Sequence, residues 1–165
     1  PDTTSVDTAE NMPSNQRQEA LTQGAANDRL HLIDTLDVFN RNGGEHGLGY
    51  LRASTTVNPQ SWYFEAHFHQ DPVCPGSLGL EAFIQLLRVA AIDHFGPGGH
   101  WAITPGSQHD WWYRGQILTH NERYTTDATI TQVHQDAAEL SGNGTLSVDG
   151  MVIYRMQGFS IRRIN

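Results

Sequence analysis

The chain has 165 residues, of which 38% are hydrophobic, and it carries a formal net charge of −8. This length suits one domain, and no apolar run approaches the roughly 20 residues that a membrane-spanning helix needs. The sequence has no basic stripe of the kind typical of nucleic-acid-binding proteins, and its negative net charge disfavours binding to anionic membranes. The single cysteine, Cys74, excludes an internal disulfide. Together with a polar N-terminus that lacks the apolar core of a secretory signal, it predicts a cytoplasmic protein.

Residues 1–28 are rich in Asp, Thr, Ser, Asn, Gln and Ala and contain hardly any large apolar side chain. This composition predicts a linker or a weakly ordered tail, in which residues 16–23 could form a short helix. We therefore place a single domain at residues 29–165.

Most of that domain is predicted to form β-strands. The stretch from Leu30 to Val38 is strand-like, and residues 47–57 alternate between two faces. Five further candidate strands lie in the second half of the chain, at residues 100–104, 112–119, 123–133, 138–147 and 151–164. Asp149-Gly150 separates the last two and is a strong β-hairpin signal.

One long helix is predicted at about residues 77–95, with Ser77 as its N-cap and a Gly-Pro-Gly-Gly sequence directly after it. Apolar residues occur on almost every side of this helix, which is typical of a buried helix. A long antiparallel sheet wrapped around the helix would cover the apolar surfaces of both. We therefore predict an α+β fold with a central buried helix.

Two polar residues of this helix, Glu81 and Gln85, interrupt the apolar pattern. A buried polar group without a partner costs roughly 1–3 kcal/mol, so these positions point to chemistry. Gln85 lies one turn after Glu81 and is predicted to hydrogen-bond its carboxyl. His67 precedes a rigid proline-containing turn, and Gly76 opens the helix, where a backbone N–H has no intrahelical acceptor.

These residues together have the components of an acid–base site. We predict that neutral His67 removes the C2 proton of a 3-hydroxyacyl thioester. The Gly76 N–H would bind the thioester oxygen as negative charge develops on it. Protonated Glu81 would assist the departure of the C3 hydroxyl as water. No metal or organic cofactor is required for this reaction.

The same residues also admit purely structural interpretations. His67 and His69 have the spacing of a metal-binding pair, but Glu81 is too distant in sequence to complete it, so no metal site is predicted. Glu81 could pair with Arg88, but a separation of seven residues on one helix favours such pairing poorly. Cys74 follows no activating group and is predicted to be a small buried wall residue.

The segment of residues 61–88 resembles the active-site region of hotdog-fold 3-hydroxyacyl-acyl-carrier-protein dehydratases. It is most similar to the 3-hydroxydecanoyl dehydratase/isomerase group and to the dehydratase domains of polyunsaturated fatty acid synthases. Further motifs of this family follow in order at residues 47–50, 57–59, 62–64, 113–117 and 147–150. The resemblance covers roughly residues 29–164 and implies a hotdog fold. It implies His67 as the base, Glu81 as the acid, Gly76 as the carbonyl-binding amide and Gln85 as the partner of the acid.

The resemblance also implies partners. The unit would be a dimer or a fused pair of hotdogs, with the His from one protomer and the acid from the other. The substrate would be carried on the phosphopantetheine of an acyl carrier protein, in fatty acid or polyketide chain synthesis. Stand-alone dehydratase/isomerase members have Asp at the position of Glu81, whereas dehydratase-only relatives have Glu, so isomerase activity does not carry over. Residues 131–139 lack the basic residues with which stand-alone members dock the carrier, which favours a domain of a megasynthase.

Two alternatives stay open on the sequence alone. A hotdog thioesterase would need a carboxylate base or a positioned water at the thioester carbonyl. A structural hotdog half would complete the active site of a partner without catalysing a reaction itself.

Overall fold

The computed structural model describes residues 11–25, 27–68 and 70–164. Within these residues the chain forms β1 (Thr35–Asn40), β2 (Tyr50–Thr56), β3 (His100–Ile103), β4 (Asp110–Tyr113), β5 (Arg123–His134), β6 (Glu139–Val148) and β7 (Met151–Ile164). The helices are α1 (Ser14–Gly24), α2 (Trp62–Ala66) and α3 (Gly76–Phe95), with a 3-10 turn at Asp28–Leu30. None of the described helices is long and apolar enough to cross a membrane.

The strands form one antiparallel sheet in the order β1-β2-β5-β6-β7-β3, and β4 also pairs with β7. β5 shows how the sheet acquires a core face, because alternate side chains of an extended strand point to opposite sides. Tyr124, Thr126, Ala128 and Ile130 are buried, and the residues between them are partly exposed. The opposite face of the sheet is therefore the more polar one.

The turn between β6 and β7 confirms the predicted hairpin. Asp149 and Gly150 have φ angles of 47° and 86°, the left-handed values of a type I′ turn. Val148 pairs with Met151 directly across the turn. The Asp149 carboxylate also accepts hydrogen bonds from the backbone N–H groups of Glu122 and Arg123, so it fixes the hairpin against the start of β5.

Helix α3 is the central element, as predicted, and the sheet curls around it. It begins at Gly76, one residue before the predicted start, and ends where Gly96 adopts a φ of 80° and donates its N–H to the Ile92 carbonyl. The ring of Phe83 packs edge-on against Phe159 of the sheet, with centroids 5.6 Å apart. Gly144 makes this close approach possible, because a Cβ there would lie 2.6 Å from Phe83 Cε2.

The N-terminal segment differs from the prediction. The short helix suggested at residues 16–23 is present as α1, and it packs on α3, so the weakly ordered tail predicted for residues 1–28 is wrong over residues 14–24. Leu21 is fully buried, and a Cβ at Gly24 would lie 2.6 Å from Val89 Cγ2. Before α1, the Met12 N–H donates to the Phe39 carbonyl at 2.9 Å, which fastens the chain to the edge of β1. The prediction for residues 1–10 lies outside the described residues.

Two local predictions also need correction. The strand predicted at residues 112–119 is split: its first residues belong to β4, and Leu118 instead makes a single bridge with Val73. The chain leaves the sheet after Tyr113, where Gly115 passes so close to Ile153 that a Cβ would lie 2.5 Å from its Cγ2. Residues 62–66, which the sequence marks only as an aromatic run, form the short helix α2.

Candidate active site

The loop that carries His67 is anchored by backbone contacts at both ends. The His67 N–H donates to the Tyr63 carbonyl and so closes α2. Beyond the loop, Val73 bridges Leu118, and the Cys74 N–H donates to the Ile117 carbonyl at 3.0 Å. The loop thus enters α3 along a fixed path.

The His67 ring has a defined hydrogen-bond partner. Its Nδ1 lies 3.0 Å from the carbonyl oxygen of Val73, and the side chain is half-buried. A carbonyl oxygen can only accept, so Nδ1 carries the proton and Nε2 of the neutral ring keeps its lone pair. The neighbouring ring of Phe68 lies 4.1 Å away, centroid to centroid. This geometry presents Nε2 as a base.

Gly76 is the first residue of α3, as its predicted role requires. Pro75 precedes it and provides no side-chain cap. Among the described residues, no acceptor is hydrogen-bonded to the Gly76 N–H. A Cβ at this position would lie 2.6 Å from Cε2 of Tyr113, so glycine lets the aromatic ring lie directly against the helix start. The positive end of the helix dipole supports binding of a developing oxyanion here.

Glu81 is paired with Arg88, so the prediction that these residues would not pair is wrong. Arg88 Nη1 donates to Glu81 Oε1, and Nη2 donates to Oε2 at 3.3 Å. Residues seven apart are nearly in line along a helix, about 10 Å apart, and two long side chains that lean toward each other can bridge this distance. Both side chains are largely covered, with 16% of Glu81 and 14% of Arg88 exposed.

Gln85 does not support the acid, which corrects a second prediction. Its side chain is fully buried, and its Nε2 donates to the carbonyl of Leu21 in α1 at 3.2 Å. Its Oε1 has no hydrogen-bond partner in the described part of the chain. Helix α1 covers this face of α3, and the Gln85 amide hydrogen-bonds α1 instead of Glu81. Arg88 is therefore the residue that contacts the acid.

His67 and Glu81 are not joined to each other by a hydrogen bond or ion pair within the described residues of this chain. His69 lies outside the described residues. Over the part of the chain that the structure does describe, no three His, Cys, Asp or Glu side chains cluster as metal ligands.

Cys74 lies in the core beside this loop. Only 3% of the residue is exposed, and desolvation raises the pKa of its thiol to about 12. A thiol with such a pKa is protonated at neutral pH and is a poor nucleophile. The predicted role of Cys74 as a small wall residue is consistent with this environment.

Two contributions were missed by sequence reasoning. Tyr113 contacts Gly76 and also tilts against Tyr154 with ring centroids 4.9 Å apart. Tyr113 belongs to the family motif at residues 113–117, but the motif does not reveal this contact, which joins a strand and a helix far apart in the chain. Arg88 was considered and set aside, and only the side-chain geometry reveals its pairing.

Known proteins share both the sequence and the architecture of this domain. The chain is 30% identical over 160 residues to a polyunsaturated fatty acid synthase polypeptide from Thraustochytrium sp. (strain ATCC 26185 / S-3), an alignment that covers 92% of this chain. It spans only 10% of the length of that relative.

Two solved structures share the fold at low sequence identity. The dehydratase heterocomplex ApeI:P from Xenorhabdus doucetiae has a TM-score of 0.61 and 13% identity, covering 88% of this chain and 91% of that one. A hypothetical thioesterase protein with coenzyme A from Streptococcus pneumoniae TIGR4 has a TM-score of 0.54 and 11% identity, covering 93% and 98%. The curled sheet and buried helix are thus a hotdog-like fold. The sequence model of the FabA-like domain family matches residues 25–157, and this chain belongs to that family.

Proposed function

We propose that this domain dehydrates 3-hydroxyacyl thioesters, carried on an acyl carrier protein, to 2-enoyl thioesters. The observation that carries the proposal is the hydrogen bond from His67 Nδ1 to the Val73 carbonyl, since it leaves Nε2 as a free base. Membership of the FabA-like family and similarity to a polyunsaturated fatty acid synthase support the substrate class.

The reaction divides among three groups. His67 Nε2 removes the proton from C2, next to the thioester carbonyl. The Gly76 N–H stabilises the negative charge that develops on the thioester oxygen. Glu81 contacts the C3 hydroxyl. Its bond to carbon breaks, and the departing oxygen takes up one proton from the acid–base pair to leave as water, so the proton lost from C2 is balanced. Side chains and one backbone N–H suffice for each step, so the proposal includes no metal or organic cofactor.

The proposed site needs a second hotdog. Within this chain His67 and Glu81 make separate contacts, His67 with Val73 and Glu81 with Arg88. We propose that each active site combines His67 of one protomer with Glu81 of its partner, in a homodimer or a fused pair of hotdogs. The carrier protein would belong to the same cytoplasmic megasynthase, where tethering supplies a high effective concentration.

A product assay tests the proposal. Carrier protein loaded with a series of 3-hydroxyacyl chains is incubated with the domain, and mass spectrometry follows the loss of water. Formation of the 2-enoyl thioester is expected with the wild-type domain and is expected to be lost in His67→Ala and Glu81→Gln. Glu45 and His46 are exposed residues between β1 and β2, outside the candidate site. The matched control variants Glu45→Gln and His46→Ala should therefore retain activity.

The outcomes separate the alternatives. Release of free thiol from the same substrates, without enoyl product, would identify a thioesterase and refute the proposal. Wild-type turnover in His67→Ala or Glu81→Gln would refute the assigned roles. Absence of both products, with every chain length, would favour a non-catalytic hotdog half.

A further inference from the structure

The ion pair between Glu81 and Arg88 is not used by the reaction as described above. It differs from the ion pair between Arg41 and Asp93 of α3, in which 51% of the Arg41 side chain is exposed. An exposed pair contributes little to stability, because water screens it. Glu81 and Arg88 are largely withdrawn from water, so their interaction constrains both side chains more strongly.

The two contacts identify the charge state of Glu81 in this arrangement. A guanidinium group has only N–H donors, and here two of its nitrogens face the two oxygens of one carboxyl group. A protonated carboxyl would turn one oxygen into a donor and lose one of these hydrogen bonds. The Glu81 that Arg88 holds is therefore a carboxylate, and a carboxylate accepts hydrogen bonds but donates no proton.

We propose that Arg88 is a positioning residue, which holds Glu81 as an ionised acceptor for the substrate's C3 hydroxyl, and that His67 both removes and returns the proton. This inference rests on the proposed function, and it replaces the protonated Glu81 of the sequence-based mechanism. Gln85, whose amide is bound to Leu21 of α1, has no part in it.

The step balances without another acid. His67 Nε2 takes the C2 proton and becomes imidazolium, and the C2 electron pair forms the new double bond. The C3–O bond breaks, and the departing hydroxide receives the proton from the imidazolium to leave as water. Throughout, the Glu81 carboxylate accepts the hydrogen bond of the hydroxyl and so turns an oxygen lone pair toward His67. Glu81 and Arg88 end the reaction in the states in which they began.

The sign of one substitution distinguishes an acceptor from a proton donor. If Glu81 donated a proton, an arginine that binds both of its oxygens as a carboxylate would oppose the reaction, and removal of that arginine would leave kcat unchanged or raise it. If Glu81 is an acceptor, Arg88→Ala should lower kcat on the order of 100-fold, since the carboxylate is no longer held in place. KM should change little, because the proposed role of Arg88 is to hold Glu81 and not to contact the substrate. Arg41→Ala removes the exposed pair of the same helix and should leave kcat unchanged.

Chemical rescue separates positioning from a merely structural role. Guanidinium chloride, at concentrations far below those that unfold proteins, should restore part of the kcat of Arg88→Ala. Urea has a similar shape but no charge and should not. Neither compound should change the kcat of Arg41→Ala or restore Glu81→Gln. Thermal unfolding followed by circular dichroism establishes that Arg88→Ala is folded at the assay temperature. If it is not, Arg88→Gln replaces it, with the same loss of kcat expected.

Each result decides the matter. Loss of kcat with rescue by guanidinium alone supports the inference. Unchanged or increased kcat in the folded Arg88 variant overturns it, and so does equal rescue by urea or no rescue of a folded Arg88→Ala. A wild-type domain that forms no enoyl product refutes the proposed function and this inference with it. An active wild type with an unaffected Arg88 variant refutes only the inference.

Discussion

Replacement of Gly79 by alanine should destabilise the domain, although alanine is the better helix former. A Cβ at Gly79 would lie 2.4 Å from Tyr154 Cε2 and 3.1 Å from its Cζ and Oη. Carbon atoms in contact lie about 3.5–4.0 Å apart, so the ring would have to move by roughly 1 Å or more. Tyr154 is fully buried, so the core confines its ring, and the rings of Tyr113 and Trp111 lie 4.9 Å and 5.7 Å from it.

The expected loss follows from two opposing effects. Alanine gains about 1 kcal/mol over glycine in the interior of a helix. Overpacking of a core typically costs about 1–3 kcal/mol, and the short distance to a confined ring places this case near the upper end. The free energy of unfolding should therefore fall by about 1–2 kcal/mol. For a domain of this size that corresponds to a decrease in Tm of about 2–8 °C.

Thermal and urea unfolding, followed by far-UV circular dichroism, would measure the change. Ser77→Ala in the same helix is the control, because Ser77 is exposed and its replacement should stay within about 0.5 kcal/mol of wild type. Gly76→Ala should lose less stability than Gly79→Ala, since its neighbour Tyr113 is 42% exposed and can turn away. A Gly79→Ala domain as stable as wild type, or more stable, would refute the reasoning.

Three further predictions follow from the site and the hairpin. If His67 and Glu81 of different protomers share a site, mixing the His67→Ala and Glu81→Gln proteins so that their subunits exchange should restore about one quarter of wild-type activity. About half of the dimers are then mixed, and each mixed dimer has one intact site of two. No recovery of activity in verified mixed dimers would contradict a shared site. Cys74, whose pKa is raised to about 12 by desolvation, should stay unmodified by a thiol reagent at about pH 8 until the domain unfolds, and labelling of the folded protein at the rate of a free thiol would contradict its burial. The backbone N–H of Arg123 lowers the pKa of Asp149 below 3.8, so the carboxylate stabilises the folded state above that pH and the contribution is lost as the pH falls through the folded-state pKa. The Tm difference between wild type and Asp149→Asn should therefore be present at about pH 7 and close in acid, and a difference that persists in acid would point to another cause.

The parts of the fold that sequence reasoning identified depend on local patterns. The all-round apolar character of α3 predicted a buried helix, and its Gly96 stop lies at the observed end. The Asp149-Gly150 turn needed only the preference of those two residues for left-handed φ. A short helix was suggested within α1, but its packing on α3 was not predicted, because its composition is polar and a single fully buried apolar residue, Leu21, anchors it. Such an anchor acquires meaning only once its partner helix is in place.

The candidate site shows the same division. His67 and Gly76 were predicted from their immediate surroundings, a turn and a helix start, and the structure has His67 directly after α2 and Gly76 at the start of α3. Their catalytic roles stay predictions. The partners predicted for Glu81 and Gln85 were wrong because a spacing of four residues permits contact without requiring it. Gln85 turned to a carbonyl of α1, and the longer Arg88 reached the acid. Competition among partners from different elements is decided by packing, which periodicity does not encode.

The attachment of the N-terminal segment determines where this domain can be cut. A protein shortened to residue 29 would keep every described strand and α3, yet it would lose the Leu21 carbonyl and leave the Gln85 amide without a partner in the core. The shortened protein would also lack Asn11 and Met12, which form hydrogen bonds with Phe39 at the outer edge of β1. A bare sheet edge is a template for pairing with other chains. The N-terminal residues that resemble a linker in composition therefore cover part of the outer edge of β1. Their removal should make the domain aggregate through that edge.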